Sequence, residues 1–187
     1  RVRRWAMRIT RLDPTDSAAI QQAAEALVSG FTLMSPGAWP DLVSATQEVH
    51  EALEDEKVCF VARDEGGRVH GWVGGKHSYA RVWELHPLVV HPASQKLGIG
   101  RRLVAALEEE VRLQGGLTIL LGTDDEADMT TLSGVDLYQD TWTHVSGIRN
   151  LKGHPYEFYQ KCGYTIVGVV PDANGLGRPD ILMAKRL

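Results

Sequence analysis

The sequence predicts a mixed α+β fold with a partly parallel centre, carried by one domain over residues 1–187. Three observations predict it. The order of elements is two helices, a hairpin, then strand–helix–strand–helix–strand–strand, an order that layers helices on a mixed sheet. The 187 residues are 43% hydrophobic and 24% charged; a soluble chain of that size buries roughly 70% of its unfolded surface without disulfide or metal. No internal repeat interrupts the pattern, and apolar runs last only a handful of residues, too short for a membrane-spanning helix. The basic start Arg1–Arg8 is not followed by the apolar stretch of a secretory signal.

Each element has a local reason. Asp13, Pro14, Thr15 and Asp16 form a helix-start cluster before a helix over 18–28. Ser35, Pro36, Gly37 and Pro40 break the chain before a second helix over 41–53. Val58–Arg63 and Val69–Gly75 read as strands around the turn Asp64-Glu65-Gly66-Gly67. Val82–Val90 is a third strand. A glycine-bearing loop then leads into a helix over 98–114, where Leu103, Leu107 and Val111 share one face and Gly115-Gly116 stops it. Leu117–Gly122 is a short buried strand. The polar stretch 123–153 contains helix over 132–138 and 143–151, a further helix covers 154–162, and strands close the chain over 164–170 and 181–187.

Twenty Lys and Arg against 24 Asp and Glu give a net charge of −4, with pI near 6.0. Phosphate binders normally carry a basic domain or stripe, so neither nucleic acid nor a membrane is an expected partner, while a cationic substrate is tolerated. Cys59 and Cys162 stand far apart; they could form a single bridge, and two free thiols in a reducing, cytoplasmic setting is the preferred reading.

The strongest local signal is Gln95-Lys96-Leu97-Gly98-Ile99-Gly100, between an apolar strand and a helix. Its glycines allow close backbone approach, and the helix start adds partial positive charge, which suits an anion. Leu103 stands where a dinucleotide fingerprint needs a third Gly, and the Lys-Ser/Thr end of a Walker loop is missing. Alone, the pattern fits an ordinary strand–helix turn equally well.

Together with Leu88-Val89-Val90-His91-Pro92 before it and Arg101-Arg102-Leu103 after it, the loop is similar to the acetyl-coenzyme A motif of the GNAT superfamily of N-acetyltransferases. Tyr159-Gln160-Lys161-Cys162-Gly163-Tyr164 resembles that family's second landmark. Trp83-Glu84-Leu85-His86-Pro87-Leu88, Leu121-Gly122-Thr123-Asp124-Asp125, Thr130-Thr131-Leu132-Ser133, Asp136-Leu137-Tyr138, His154-Pro155-Tyr156-Glu157-Phe158-Tyr159, Pro171-Asp172-Ala173-Asn174-Gly175 and Pro179-Asp180-Ile181 are similar to segments of aminoglycoside 6′-N-acetyltransferases. Phe31–Pro40 is longer than that subfamily's corresponding segment. The resemblance implies a GNAT fold, with a central mixed β-sheet of six to seven strands flanked by helices on both faces. It also implies acetyl-CoA as co-substrate, direct transfer to the 6′-amine of an aminoglycoside in a ternary complex, antibiotic resistance, and a homodimer. On it the cofactor is held by Leu88, Val89, Val90, Gln95, Lys96, Leu97, Gly98, Ile99, Gly100 and Arg101. Two alternatives stand beside it: transfer to another small amine or peptide, and a coenzyme A-binding module without turnover.

The remaining candidates follow from chemistry. Strict alternation puts Glu84, His86, Leu88 and Val90 on one face of their strand. The attacking amine must be unprotonated, so Glu84 is either a base, acting directly or through water, or an anchor for the ammonium. His86 orients, packs, or serves as the base. A bulge near Leu88–Val90 would free an N–H for the thioester oxygen. Tyr159 is a core aromatic in an unknown fold and, given the family landmark, the acid for the departing thiolate. In the acidic run Asp124, Asp125, Glu126 and Asp128, the first two are expected to meet a polycation and the other two to face solvent. Trp39 and Tyr79 are candidates to stack on sugar rings, or are rim or core aromatics. The histidines show no metal-ligand spacing, and no metal site is expected.

Overall fold

The computed structural model describes residues 7–187, so most of the basic start Arg1–Arg8 lies outside the described residues. The chain forms two compact units: residues up to Thr32, Pro36–Ile119 and Leu187 in the first, Leu33–Ser35 and Leu120–Arg186 in the second. Its class is mixed α+β, and the seven strands among the described residues agree with the six to seven expected.

The first unit contains β1 (Arg8–Arg11), α1 (Ser17–Phe31), α2 (Leu42–Glu51), β2 (Val58–Arg63), β3 (Val69–Tyr79), β4 (Val82–Val90), a 3₁₀ turn (Pro92–Ser94) and α3 (Ile99–Leu113). β1 to β4 pair in chain order, each antiparallel to the next. β1 is not apparent from the sequence. Its four residues R-I-T-R offer one apolar side chain, so no alternation marks them; pairing with β2, as in Ile9 opposite Ala62, makes the strand.

The helix starts behave as read. Asp16 accepts a hydrogen bond from the Ala19 N–H at 3.0 Å, and Asp41 from the Ser44 N–H at 2.8 Å, each satisfying one orphan donor. α1 buries Ala19, Ile20, Ala23, Ala24 and Leu27, and the buried Trp72 indole donates to the Ala23 carbonyl at 3.0 Å. α3 buries Leu103, Leu107 and Val111 as its spacing predicts. Helices thus cover both faces of this unit's strands.

β3 runs four residues beyond the expected end at Gly75, to Tyr79. Gly74 and Gly75 do not stop the strand; they let neighbours approach it. A side chain at Gly74 would meet the His86 carbonyl, and a Cβ at Gly75 would lie 2.5 Å from Leu107 Cδ1. Opposite Gly74 the register slips. Val73 faces Leu88 and Gly75 faces Leu85, so Gly74 alone spans His86 and Pro87. This β-bulge overturns the expected alternation of Glu84, His86, Leu88 and Val90, because an inserted residue reverses which face the following side chains take. Leu85, opposite Gly75, lies on the side of Leu107 in α3. Val89, opposite Trp72, takes the α1 side instead and packs on Gly30.

The second unit contains most of β5 (Thr118–Asp124), then α4 (Thr141–Ser146), α5 (Tyr156–Lys161), β6 (Thr165–Val170) and β7 (Asp180–Arg186), with the strands in the order β5–β7–β6. Residues 132–138 are turns, not the expected helix. Gly134 has φ +74 and Asp140 φ +52, and the Asp136 carboxylate takes the Tyr138 N–H at 3.1 Å, a local bond that competes with helix. Leu121, Leu132, Tyr156, Tyr159, Ile181 and Met183 are buried here.

Candidate active site

The first group of candidates lies on α2, β3 and β4. Glu84 sits opposite Lys76 in the strand register, with Lys76 Nζ 3.6 Å from Glu84 Oε2. His86 Nε2 stands 3.3 Å from Glu48 Oε1 on α2. The other oxygen, Oε2, accepts from the Trp39 indole at 3.3 Å. The hydrogen bond from His86, with the charge of Lys76 among lesser causes, holds the Glu48 carboxyl below the usual carboxylate range. Glu48, Glu51, Ala52, Lys57, Gly75, Lys76 and His86 line a small cleft of about 80 Å³. Glu84 and His86 are thus together on one side, as expected, while Leu88 and Val90 leave that side at the bulge.

Trp39 is half-buried, edge-on to Phe31 at 4.7 Å and tilted to His86 at 6.0 Å. Tyr79, at the end of β3, is 69% exposed. Glu48 and Lys76 escape the sequence reading. Glu48 borders the buried stripe Ala45 and Val49 of α2, and Lys76 follows the glycine pair taken as the strand end. Continuing the alternation Trp72, Gly74, Lys76 through those glycines is the signal that finds it.

The second group is the loop before α3. Lys96 has φ +63 and Gly98 φ +80. Gly98 caps α3 without any side-chain hydrogen bond, and the first helical bond runs from the Arg102 N–H to the Gly98 carbonyl at 3.2 Å. The N–H groups of Ile99, Gly100 and Arg101 therefore have no intrahelical acceptor, the geometry that receives a phosphate. Ile99 is buried and anchors the helix start, while Leu97 is exposed. Gln95 Nε2 donates to the Val90 carbonyl at 3.2 Å, tying the loop to β4. Just before it, buried Ser94 is hydrogen-bonded to His70 Nδ1 at 2.8 Å, and His70 Nε2 to Asp64 at 2.9 Å, bracing the loop on the β2–β3 hairpin.

The third group lies in the second unit. Tyr159 is 8% exposed and packs edge-on to Phe158 and Tyr164. Burial pushes its phenol far above the ordinary value, so it stays a proton donor at neutral pH. The two aspartates separate. Asp125 is fully buried, and its carboxylate accepts from the Met129 N–H at 2.7 Å and from the Thr130 N–H and hydroxyl at 2.8 and 2.7 Å. A side chain so occupied has no face for a drug ammonium, which corrects the expectation for that residue. Asp124 is exposed, its Oδ1 accepting from Asn174 Nδ2 at 2.5 Å. Its carbonyl accepts from His154 Nε2 at 2.9 Å, and His154 Nδ1 accepts the Tyr156 N–H at 3.1 Å, so one buried imidazole ties the Asp124 backbone to the start of α5. Nothing in its sequence setting singles out this link.

Cys59 is buried and its thiol is pushed up to about 12 by that burial, so it is no nucleophile. Among the described residues no helix is long and apolar enough to cross a membrane.

The profile of the acetyltransferase (GNAT) family matches residues 22–139. The chain belongs to the acetyltransferase (GNAT) family. A solved aminoglycoside 6′-N-acetyltransferase complexed with coenzyme A is 43% identical, with TM-score 0.87 and 96% of each chain covered. The aminoglycoside 6′-N-acetyltransferase from Enterococcus faecium is 43% identical with TM-score 0.85, and an aminoglycoside 6′-acetyltransferase of type Ii is 36% identical with TM-score 0.71, each again over 96% of both chains. A search of curated proteins returns no match. For a GNAT acetyltransferase the uncapped start of α3, with Lys96 and Arg101 beside it, fits the phosphates of coenzyme A, and acetyl-CoA is the co-substrate.

Proposed function

We propose that this GNAT enzyme is an aminoglycoside 6′-N-acetyltransferase, moving the acetyl group of acetyl-CoA to the 6′-amine by direct transfer in a ternary complex. The observation that carries the reading is likeness to three solved aminoglycoside acetyltransferases, 36–43% identical over 96% of both chains. The carboxylates Glu48 and Glu51 on the cleft, with Glu84 on the neighbouring strand, support it, since a polycation needs carboxylates.

On this reading, acetyl-CoA supplies the acyl group as a thioester, its phosphates held at Gln95–Arg101 and its thioester arm along Leu88–Val90. Glu84 draws the substrate ammonium and takes up its proton, directly or through water. His86, set by Glu48, orients the amine. Trp39 and Tyr79 offer aromatic faces to sugar rings, and Asp124 anchors a second ammonium. Tyr159, kept protonated by burial, delivers its proton to the departing thiolate. Residues 1–187 act as one acetyltransferase domain, as a homodimer in the cytoplasm, and confer aminoglycoside resistance. Release of free thiol with 6′-amino aminoglycosides tests the reading. Release only with other amines favours the broader acetyltransferase, and no release with any amine favours a binding module.

A further inference from the structure

We propose that Glu48 is a positioning residue: one carboxylate oxygen fixes the ring of His86 with Nε2 protonated, while the other holds the Trp39 indole. The inference deepens the reading above and rests on it for its kinetic arm.

A carboxylate only accepts hydrogen bonds, and an indole N–H only donates. Glu48 Oε2 therefore receives Trp39 Nε1 at 3.3 Å with no ambiguity of direction. Oε1 stands 3.3 Å from His86 Nε2. A neutral imidazole carries one N–H, and a lone pair on Nε2 would face an anionic oxygen, so the proton belongs on Nε2. Nδ1 is left as the ring's acceptor. The carboxylate is ionised well below neutral pH because His86, then Trp39 and Lys76, stabilise its charge against the cost of burial. One hydrogen bond, from the Trp39 indole, and one close imidazole contact, from His86, also restrain this half-buried carboxylate, and so restrain both partners. The helix supplies a fixed mount: Glu48 lies between buried Ala45 and Val49, and α2 is capped by Asp41.

Glu48 thereby links a residue of the bulged strand to an aromatic of the Pro36–Asp41 segment. Swinging either side chain means giving up a bond to the same carboxylate. The other charged groups on this cleft are Glu51 from α2, Lys57 from the segment before β2, Lys76 from β3 and Glu84 from β4. Glu48 is the one among them joined to both His86 and Trp39 by the contacts above.

The test has two arms on the full chain. Long-range ¹H–¹⁵N spectra, with His86 assigned through a His86→Asn variant, read the tautomer above the imidazole titration and without drug. Wild type shows protonated Nε2, and Glu48→Ala shows a mixture of both forms. Steady-state kinetics form the second arm. Loss of a bond to a charged group lowers kcat/KM for the drug about ten- to a hundredfold in Glu48→Gln, while KM for acetyl-CoA stays within about twofold. Glu48→Asp, which keeps the charge, regains at least part of the loss, and the pH profile of Glu48→Gln differs in shape from wild type. Trp39→Phe raises KM for the drug and leaves the His86 tautomer as in wild type. A wild-type His86 protonated on Nδ1, or a tautomer unmoved by Glu48→Ala, overturns the proposal. So does an equal loss of drug and acetyl-CoA parameters, which marks a merely structural role. If wild type acetylates no aminoglycoside, the proposed function fails, and the spectra still decide whether Glu48 sets His86.

Discussion

The Lys76 ammonium stands 3.6 Å from Glu84 Oε2, across the β3–β4 pair, so the carboxylate proposed to meet the substrate already faces a resident cation. Both side chains are partly exposed, and pairs of that kind contribute about 0–1 kcal/mol. Lys76 is thus a weak competitor that a polycation can displace. Lys76→Met is expected to lower KM for a polycationic aminoglycoside by roughly two- to fivefold, the span of such a pair. Steady-state kinetics of Lys76→Met, Glu84→Gln and the double variant check it: the benefit of removing Lys76 should vanish once Glu84 is neutral. An equal benefit in both backgrounds would mean that Lys76 acts elsewhere.

Tyr159→Phe should lower kcat while cofactor affinity remains near wild type, because the change removes one buried hydroxyl and no phosphate contact. Deleting a proton donor costs roughly 10²- to 10⁴-fold where proton transfer limits the rate. Single-turnover rates separate this from slow product release. An unchanged single-turnover rate leaves Tyr159 as packing between Phe158 and Tyr164.

Asp124 and Asp125 should fail differently. Asp125→Asn disturbs three hydrogen bonds inside its own loop, so it should cost about 1–3 kcal/mol of stability, the penalty for unsatisfied buried partners. Denaturant unfolding measures that. Asp124→Asn should leave stability within about 0.5 kcal/mol, as surface changes do, raise KM for the polycation, and flatten its dependence on salt. Matching effects of the two substitutions would contradict this division.

His154 provides a pH dependence with a definite sign. Its burial lowers its pKa below the ordinary 6.5, despite the Asp124 carbonyl and the nearby aspartates. The unfolded chain then binds a proton that the folded chain resists. This contribution to stability is present above about pH 6.5 and is lost as pH falls below it. Urea unfolding between pH 8 and 5 should show that fall, and His154→Gln should reduce it. A variant with the wild-type slope would place the dependence on other groups.

Much of this was legible in the sequence, and what was not has physical causes. Asp16 and Asp41 announced their helices because a cap is a local bond, and Leu103, Leu107 and Val111 announced α3 because burial repeats with the helix. Gly98 marked the start of α3, since a left-handed cap is cheapest at glycine. A bulge was considered near Leu88–Val90, but its place at His86–Pro87, opposite Gly74, was hidden, because register depends on two strands at once, and with it went the facing of Leu88 and Val90. Glu48 was hidden because its partners Trp39 and His86 come from other segments. Asp125 looked like a ligand residue because a run of carboxylates reads as exposed charge, whereas its oxygens were needed by Met129 and Thr130. β1 carried too few apolar residues to be seen without its partner β2.

The central claim, transfer to a 6′-amine, is tested most directly by release of free coenzyme A thiol from acetyl-CoA with matched aminoglycosides bearing a 6′-amino or a 6′-hydroxyl group. The account predicts stoichiometric thiol release with the 6′-amino compound and background release with its 6′-hydroxy partner. Equal release with both, or release only with polyamines or peptides, would contradict it.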